Sequence, residues 1–457
     1  MSFASVNPAT GQVTQRFEAT SAAELERSCA RAAAAFADWR RQPLAARSAV
    51  LIKVAAILER EHDRLGALAT SEMGKLLSAA VAEVDKCAAA CRYFGENTAR
   101  LLPEAELVDK TGAREVIRYE PLGPILAIMP WNFPYWQMVR FAAPGLMAGN
   151  VTLFKPAPSV PGCALALADV FHRAGAPEGL FQVLFIEPET ASALIADPRV
   201  AAVTLTGSER AGQAVGAAAG AALKKSVLEL GGSDPFIVLP SADLDQAVST
   251  ALRARMVNNG QSCIAAKRFI VADSIYDAFR DRFVAKVAAM KIGDPMLPST
   301  DLGPLATAAI RDELGKQVER SVKAGAKLLT GGAALAGPGF FFAPTVLEEV
   351  PPEAPAACEE LFGPVAALFR ARDLDHALAL ANATRFGLGA SVFTTDRAEA
   401  ERCTAEIDAG MVFVNDMVAS DPRFPFGGIK RSGYGRELGV QGLHELVNVK
   451  RVRWTGL

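Results

Sequence analysis

The stretch GPILAIMPWNFP, Gly123–Pro134, decides the fold. A short apolar run punctuated by Gly123, Pro124 and Pro130 reads as a strand buried on both faces, the kind that parallel sheets contain. Downstream, periodicity predicts a helix over 135–148, the strand VTLFK, a helix over 161–174, the strand FQVLF and a short helix. The strand AAVTLTG, a helix over 208–220 and the strand SVLEL follow. This β-α-β-α alternation implies a parallel sheet with crossover helices.

Working outward, residues 22–40, 44–70 and 78–101 carry apolar positions at helical spacing. Beyond SVLEL a second alternation begins: PFIVL, helix 243–258, KRFIV, helices 274–290 and 308–324, AALFR, helix 373–382, ASVFTT, helix 396–406 and GMVFVN. The expected fold class is therefore α/β with two α/β domains. REVIRYEP and, at the carboxyl end, VNVKRVRW alternate like exposed or edge strands and fit neither sheet; they could pair with another subunit.

The chain has 457 residues, which suggests roughly two or three domains with a cleft between them. With 48 basic against 50 acidic residues, nothing electrostatic favours a nucleic-acid or membrane-surface partner. The amino terminus shows no basic segment leading into an apolar core, and apolar runs fall far short of the ~18 residues of a spanning helix, so a cytoplasmic location is expected. Seven scattered cysteines without a Cys-x-x-Cys pair suggest neither a disulfide framework nor a zinc knuckle. Four histidines, none spaced i, i+4, leave a metal site or a Ser-His triad little to draw on, and no metal is expected.

Three residues have settings suited to chemistry. Cys263, in NNGQSCIAAKR, follows a helix and precedes a strand, where a loop can present a thiol to a cleft, although an isolated cysteine is more often a buried hydrophobe. Glu229 ends an apolar strand before Gly231-Gly232, where a partly desolvated carboxylate can serve as a general base; an exposed or salt-bridged glutamate is the ordinary alternative. Asn132, between Trp131 and Phe133, can donate its amide to an oxygen gaining negative charge, or can satisfy its own turn backbone.

Seven segments in this order, PWNFP, FKPA, TGS, LELGGSDPF, GQSC, EELFGPV and PFGGIKRSGYGRE, resemble the motif set of the aldehyde dehydrogenase superfamily. The resemblance runs from NPATG at Asn7–Gly11 to Glu437. Within the superfamily the chain is most similar to the short bacterial succinate-semialdehyde dehydrogenases. The resemblance implies an aldehyde dehydrogenase-like fold: a Rossmann-type NAD(P)-binding domain (1–106 and 123–229), an α/β catalytic domain (230–439) and a small β oligomerisation arm (107–122 and 440–457) building a homodimer or homotetramer. It also implies the reaction. The Cys263 thiolate attacks an aldehyde, Asn132 and the Cys263 N–H hold the oxyanion, hydride passes to NAD or NADP, and Glu229 activates the water that hydrolyses the thioester.

For the cofactor the resemblance assigns Trp131, Lys155, Ser159, Gly207, Ser208, Leu230, Glu360 and Phe362. By spacing alone GSERAGQAVGAAAG reads as a close-packed Gly/Ala helix. Strict NAD enzymes often have Glu three residues after the FKPA lysine; Pro158 stands there, so a 2′-phosphate meets no acid and the choice between NAD and NADP stays open. For the substrate it assigns Arg140 and Ser420 to a distal carboxylate, a pairing worth about 1.5–3 kcal/mol. Read bottom-up, Arg140 could equally be a helix-surface salt bridge. A second arginine found in some relatives is replaced by Val257, with Arg255 and Arg423 as candidate substitutes. Ala265 stands where some relatives place a second cysteine, so their regulatory disulfide is not expected. A glutarate-semialdehyde enzyme, a broad-specificity aldehyde dehydrogenase and an inactive structural member of the superfamily are the rival readings.

Overall fold

The strand expected from Gly123–Pro130 forms over Pro124–Ile128 inside a six-stranded sheet in the computed structural model, which describes residues 3–108 and 114–455. Val151–Lys155 and then Phe181–Val183 lie parallel on one side of it. Ala202–Thr206 and then Lys225–Glu229 lie parallel on the other. Strand order thus reverses between Pro124–Ile128 and Ala202–Thr206, and open α/β sheets bind ligands at such a switch point, beyond the carboxyl ends of the strands. Those ends lead into Trp131-Asn132, Gly207-Ser208 and Leu230.

The helices expected before the sheet form at Ala22–Trp39 and Leu77–Leu101, but the single helix expected over 44–70 divides into Leu44–Arg60 and His62–Met73. Glu61 leaves the helical backbone at φ −111°, ψ 15°, and its carboxylate is bridged by Arg64 at 2.6 Å and Arg173 at 2.6 Å. Helix Trp136–Ala148, every residue of which is buried, packs between the sheet and Leu77–Leu101.

The second alternation builds a seven-stranded sheet, parallel except for Lys327–Thr330, which runs antiparallel to Thr345–Glu348. Those two strands were not expected; four residues each give too short a pattern to read. The polar, largely exposed strand Gln12–Phe17 of the amino-terminal hairpin escapes for the same lack of apolar alternation.

REVIRYEP and VNVKRVRW, left unplaced by pattern, pair with each other within the chain, from Val447 opposite Pro121 to Trp454 opposite Arg114, and Ala105–Val108 adds a third antiparallel strand. Charge complementarity fits that register: Arg451 and Arg453 both bind Glu115, at 2.7 and 2.6 Å. Residues 109–113 of the expected arm lie outside the described residues. Gly433–Tyr434, inside the span expected for the catalytic domain, adds an antiparallel edge to the cofactor-side sheet against Leu228-Glu229.

Candidate active site

Cys263 follows a one-turn helix, Val257–Gly260, in which Asn258, Asn259 and Gly260 all adopt left-handed backbone with φ of 56°, 57° and 76°. Asparagine tolerates this region because its short polar side chain can bond locally. The Asn259 amide donates to Gly74 O (2.8 Å) and Pro304 O (3.0 Å) and accepts from Gly303 N (3.0 Å), anchoring the loop to two distant segments. Lys267, fully buried at the start of strand Ala266–Ala272, donates to Ser262 O (2.9 Å) and Cys263 O (2.5 Å). Burial pushes the Cys263 thiol up to about 12, against the opposing pull of Arg140 and Lys267.

Two cavities meet at Cys263, which lines both together with Gln137. The first, of about 270 Å³, sits at the switch point. Its walls include Trp131, Asn132, Gly207, Ser208, Leu230, Glu360 and Phe362, gathered from the two sheets. Trp131 and Phe362 meet edge to face at 5.7 Å. Glu360 accepts from Gly232 N at 3.0 Å and lies 3.6 Å from Lys267, while burial raises its carboxyl above the usual range. Ser208 caps helix Glu209–Ala221 by accepting from Ala211 N at 3.3 Å. Apolar ring walls, a carboxylate suited to ribose hydroxyls and a helix amino terminus suited to phosphate fit a nicotinamide nucleotide.

Lys155 and Ser159 stand one strand away and do not line this cavity. Burial lowers the Lys155 ammonium from its ordinary value, opposed by the field of Glu187. Pro158 turns its carbonyl to Ala4 N at 3.1 Å, tying the amino-terminal hairpin to this loop.

Asn132 is buried and faces the thiol cavity, with Nδ2 donating to Gln261 O at 3.1 Å and its backbone carbonyl accepting from Asn258 Nδ2 at 2.7 Å. An amide nitrogen carries two donors, so one remains for an oxygen bound at Cys263. Glu229 is buried at the end of its strand, and neither carboxylate oxygen has a hydrogen-bond partner among the described residues. Burial, and next the neighbouring Glu437, hold its carboxyl well above the usual range, while Arg140 and Arg436 pull the other way. Burial thus favours the uncharged form of Glu229, which lies next to a glycine, Gly427, whose missing Cβ leaves it room.

The second cavity, of about 290 Å³, contains Arg140 and Ser420. Arg140 is no surface salt bridge: at 1% exposure it pairs with Glu437, donates to Thr206 Oγ1 at 3.2 Å and lies 4.4 Å over the Phe426 ring. Neither candidate for a second arginine lines this cavity. Arg255 is fully buried and donates to Gly260 O at 2.6 Å, and Arg423 is exposed and forked onto Asp421 at 2.6 and 2.9 Å. Lys86 lines it instead, with Nζ donating to Ser420 Oγ at 2.7 Å. Sequence reasoning missed Lys86, Gln137, Lys267 and Glu437: Lys267 stood in the segment read around Cys263 and Glu437 closed a motif, both without a role, and Lys86 and Gln137 were given none. Among the described residues no cluster of His, Cys, Asp or Glu could hold a metal ion, and no helix is long and apolar enough to cross a membrane.

Comparison with known proteins gives one consistent picture. A succinate-semialdehyde dehydrogenase [NADP(+)] 1 of Mycobacterium tuberculosis is 54% identical over 455 residues, 99% of each chain. A succinate-semialdehyde dehydrogenase [NADP(+)] of Mycobacterium avium is 53% identical over 459 residues, 100% of this chain and 97% of that one. The structure of succinic semialdehyde dehydrogenase from Streptococcus pyogenes with NADP+ superposes with a TM-score of 0.96 at 37% identity, covering 98% of this chain and 99% of that one. An NAD-dependent aldehyde dehydrogenase from Sinorhizobium meliloti also reaches 0.96, at 33% identity, covering 100% and 91%. With the family profile matching residues 1–452, the chain belongs to the aldehyde dehydrogenase family.

Proposed function

We propose that this chain oxidises a short aldehyde bearing a distal carboxylate, succinate semialdehyde first among them, to the free acid, with NADP or NAD as acceptor. The observation that carries the reading is the junction: one thiol lines both the cavity at the switch point and a largely apolar cavity that Lys86 and Arg140 also line. The names of the relatives point to the same substrate and to NADP.

Nicotinamide, when bound, supplies the hydride acceptor. The chain supplies the rest. Cys263, once deprotonated, adds to the aldehyde carbon, and the Asn132 amide and the Cys263 N–H stabilise the oxyanion. After oxidation to the thioester, Glu229, having given up its proton, takes one from water; the hydroxide displaces the Cys263 sulfur and the carboxylic acid leaves. Glu360 fits the nicotinamide ribose, and Lys155 and Ser159 fit the adenosine ribose and its 2′ substituent, with no acid at position 158 to repel a phosphate. Arg140 and Ser420 face the substrate carboxylate. The strands Ala105–Val108 and Val447–Trp454, both edges of the three-stranded sheet, serve a homodimer or homotetramer.

Steady-state rates for succinate semialdehyde, glutarate semialdehyde and butanal, each with NAD and with NADP, test the proposal. A kcat/KM for succinate semialdehyde far above that for butanal is expected; equal values would overturn it.

A further inference from the structure

We infer that Lys86 is a substrate-binding residue, an ammonium presented with Ser420 to grip the distal carboxylate of the aldehyde in the cavity beside Cys263. The inference rests on the carboxylate reading above and adds to it the residue that supplies the free charge.

Lys86 lies on helix Leu77–Leu101, whose Ala79, Ala82, Glu83 and Lys86 line the cavity at spacings of three and four, one helical face. The two alanines leave room in front of the ammonium. Its Nζ donates to Ser420 Oγ at 2.7 Å and lies 4.5 Å from the centre of the Trp136 ring, so the side chain is held in one place. An ammonium has three donors, and Ser420 takes one. No carboxylate forms an ion pair with Lys86 among the described residues, although the chain is rich in such pairs. A half-buried cation without a counter-ion is costly, and the fully buried Lys75 avoids that cost by pairing with Glu83.

The other cation of the cavity is differently placed. Arg140 is already matched by Glu437 and engaged with Thr206, so an incoming carboxylate meets Lys86 as the uncompensated charge. Burial, and next the positive field of Arg140, bring the Lys86 ammonium down to about 8; Cys87 and Glu83 on its own helix and Asp421 on the loop opposite act the other way. Lys86 is charged at neutral pH and loses its charge as the pH passes that value.

Lys86→Met and Lys86→Arg, each assayed with succinate semialdehyde and with butanal, test this. For Lys86→Met the ratio of kcat/KM for succinate semialdehyde to that for butanal should fall about tenfold or more, with the loss in KM rather than kcat. Lys86→Arg should recover most of it. In the wild type, KM for succinate semialdehyde should climb above pH 8, and that rise should vanish in Lys86→Met. A wild-type preference for succinate semialdehyde that survives Lys86→Met overturns the role of Lys86 alone, as does an equal rise in KM for both aldehydes. A wild type that takes both aldehydes alike overturns the carboxylate reading and the role of Lys86 together.

Discussion

Burial disfavours the charged forms of both Cys263 and Glu229 and raises both groups above their ordinary values. The thiol, pushed up to about 12, should react slowly with iodoacetamide at neutral pH. Its labelling rate, followed by peptide mass spectrometry to separate it from the exposed Cys358, should rise about tenfold per pH unit from 7 to 9 without a plateau. A plateau below pH 9 would show a thiolate stabilised by something other than Arg140 and Lys267. Glu229→Gln replaces a buried carboxyl, whose uncharged form burial favours, by an amide of the same shape, so folding should survive. The variant should keep a pre-steady-state burst of reduced nicotinamide and lose steady turnover, together with the rise of kcat with pH that deprotonation of Glu229 produces; loss of the burst too would refute this division of labour. Asn132→Ala, by removing one oxyanion donor, should lower kcat about 10²–10³-fold, and a fall confined to KM would count against the role. The positions of Cys263, Glu229 and Asn132 at the ends of readable elements could be read from sequence, whereas their proposed roles came from the motif resemblance. The raised carboxyl of Glu229 could not be read there, since it depends on burial and on Glu437, Arg140 and Arg436, which arrive from elsewhere in the chain.

The longer elements were readable where burial was one-sided or complete over five or more residues of a strand or several turns, whereas Thr345–Glu348, buried throughout but four residues long, was not. VTLFK was expected at 151–155 and is found there, buried along its length. What pattern could not show is the turn before the nucleophile, Val257–Gly260, because its left-handed residues are set by contacts with Gly74, Gly303 and Pro304. Asn259→Ala would leave three backbone groups there without a partner, each costing about 1–3 kcal/mol. The expected outcome is a fall of several degrees in Tm, with kcat reduced because the loop that carries Cys263 loses its anchor; calorimetry and steady-state kinetics check both. Unchanged values would mean that water replaces the asparagine amide without loss.

At the scale of the whole molecule, the three-stranded sheet leaves two edges, Ala105–Val108 and Val447–Trp454, without a strand partner among the described residues. Light scattering on the purified chain should give the mass of a dimer or tetramer, and removal of residues 447–457 should reduce it; a monomeric mass for the full chain would refute the proposed arm. The alternation of strands and helices, the switch point it implies and the motif set were determined by the sequence alone, because burial patterns and turn residues act locally. The tertiary structure alone decided which cations line the cavity beside Cys263. Arg255 and Arg423, close to the motifs along the chain, turn away to a backbone carbonyl and to Asp421, whereas Lys86, 177 positions before Cys263, reaches the cavity because helix Leu77–Leu101 packs against Trp136–Ala148. Proximity of charges is a property of packing, which joins residues regardless of their separation in sequence, and no local pattern encodes it.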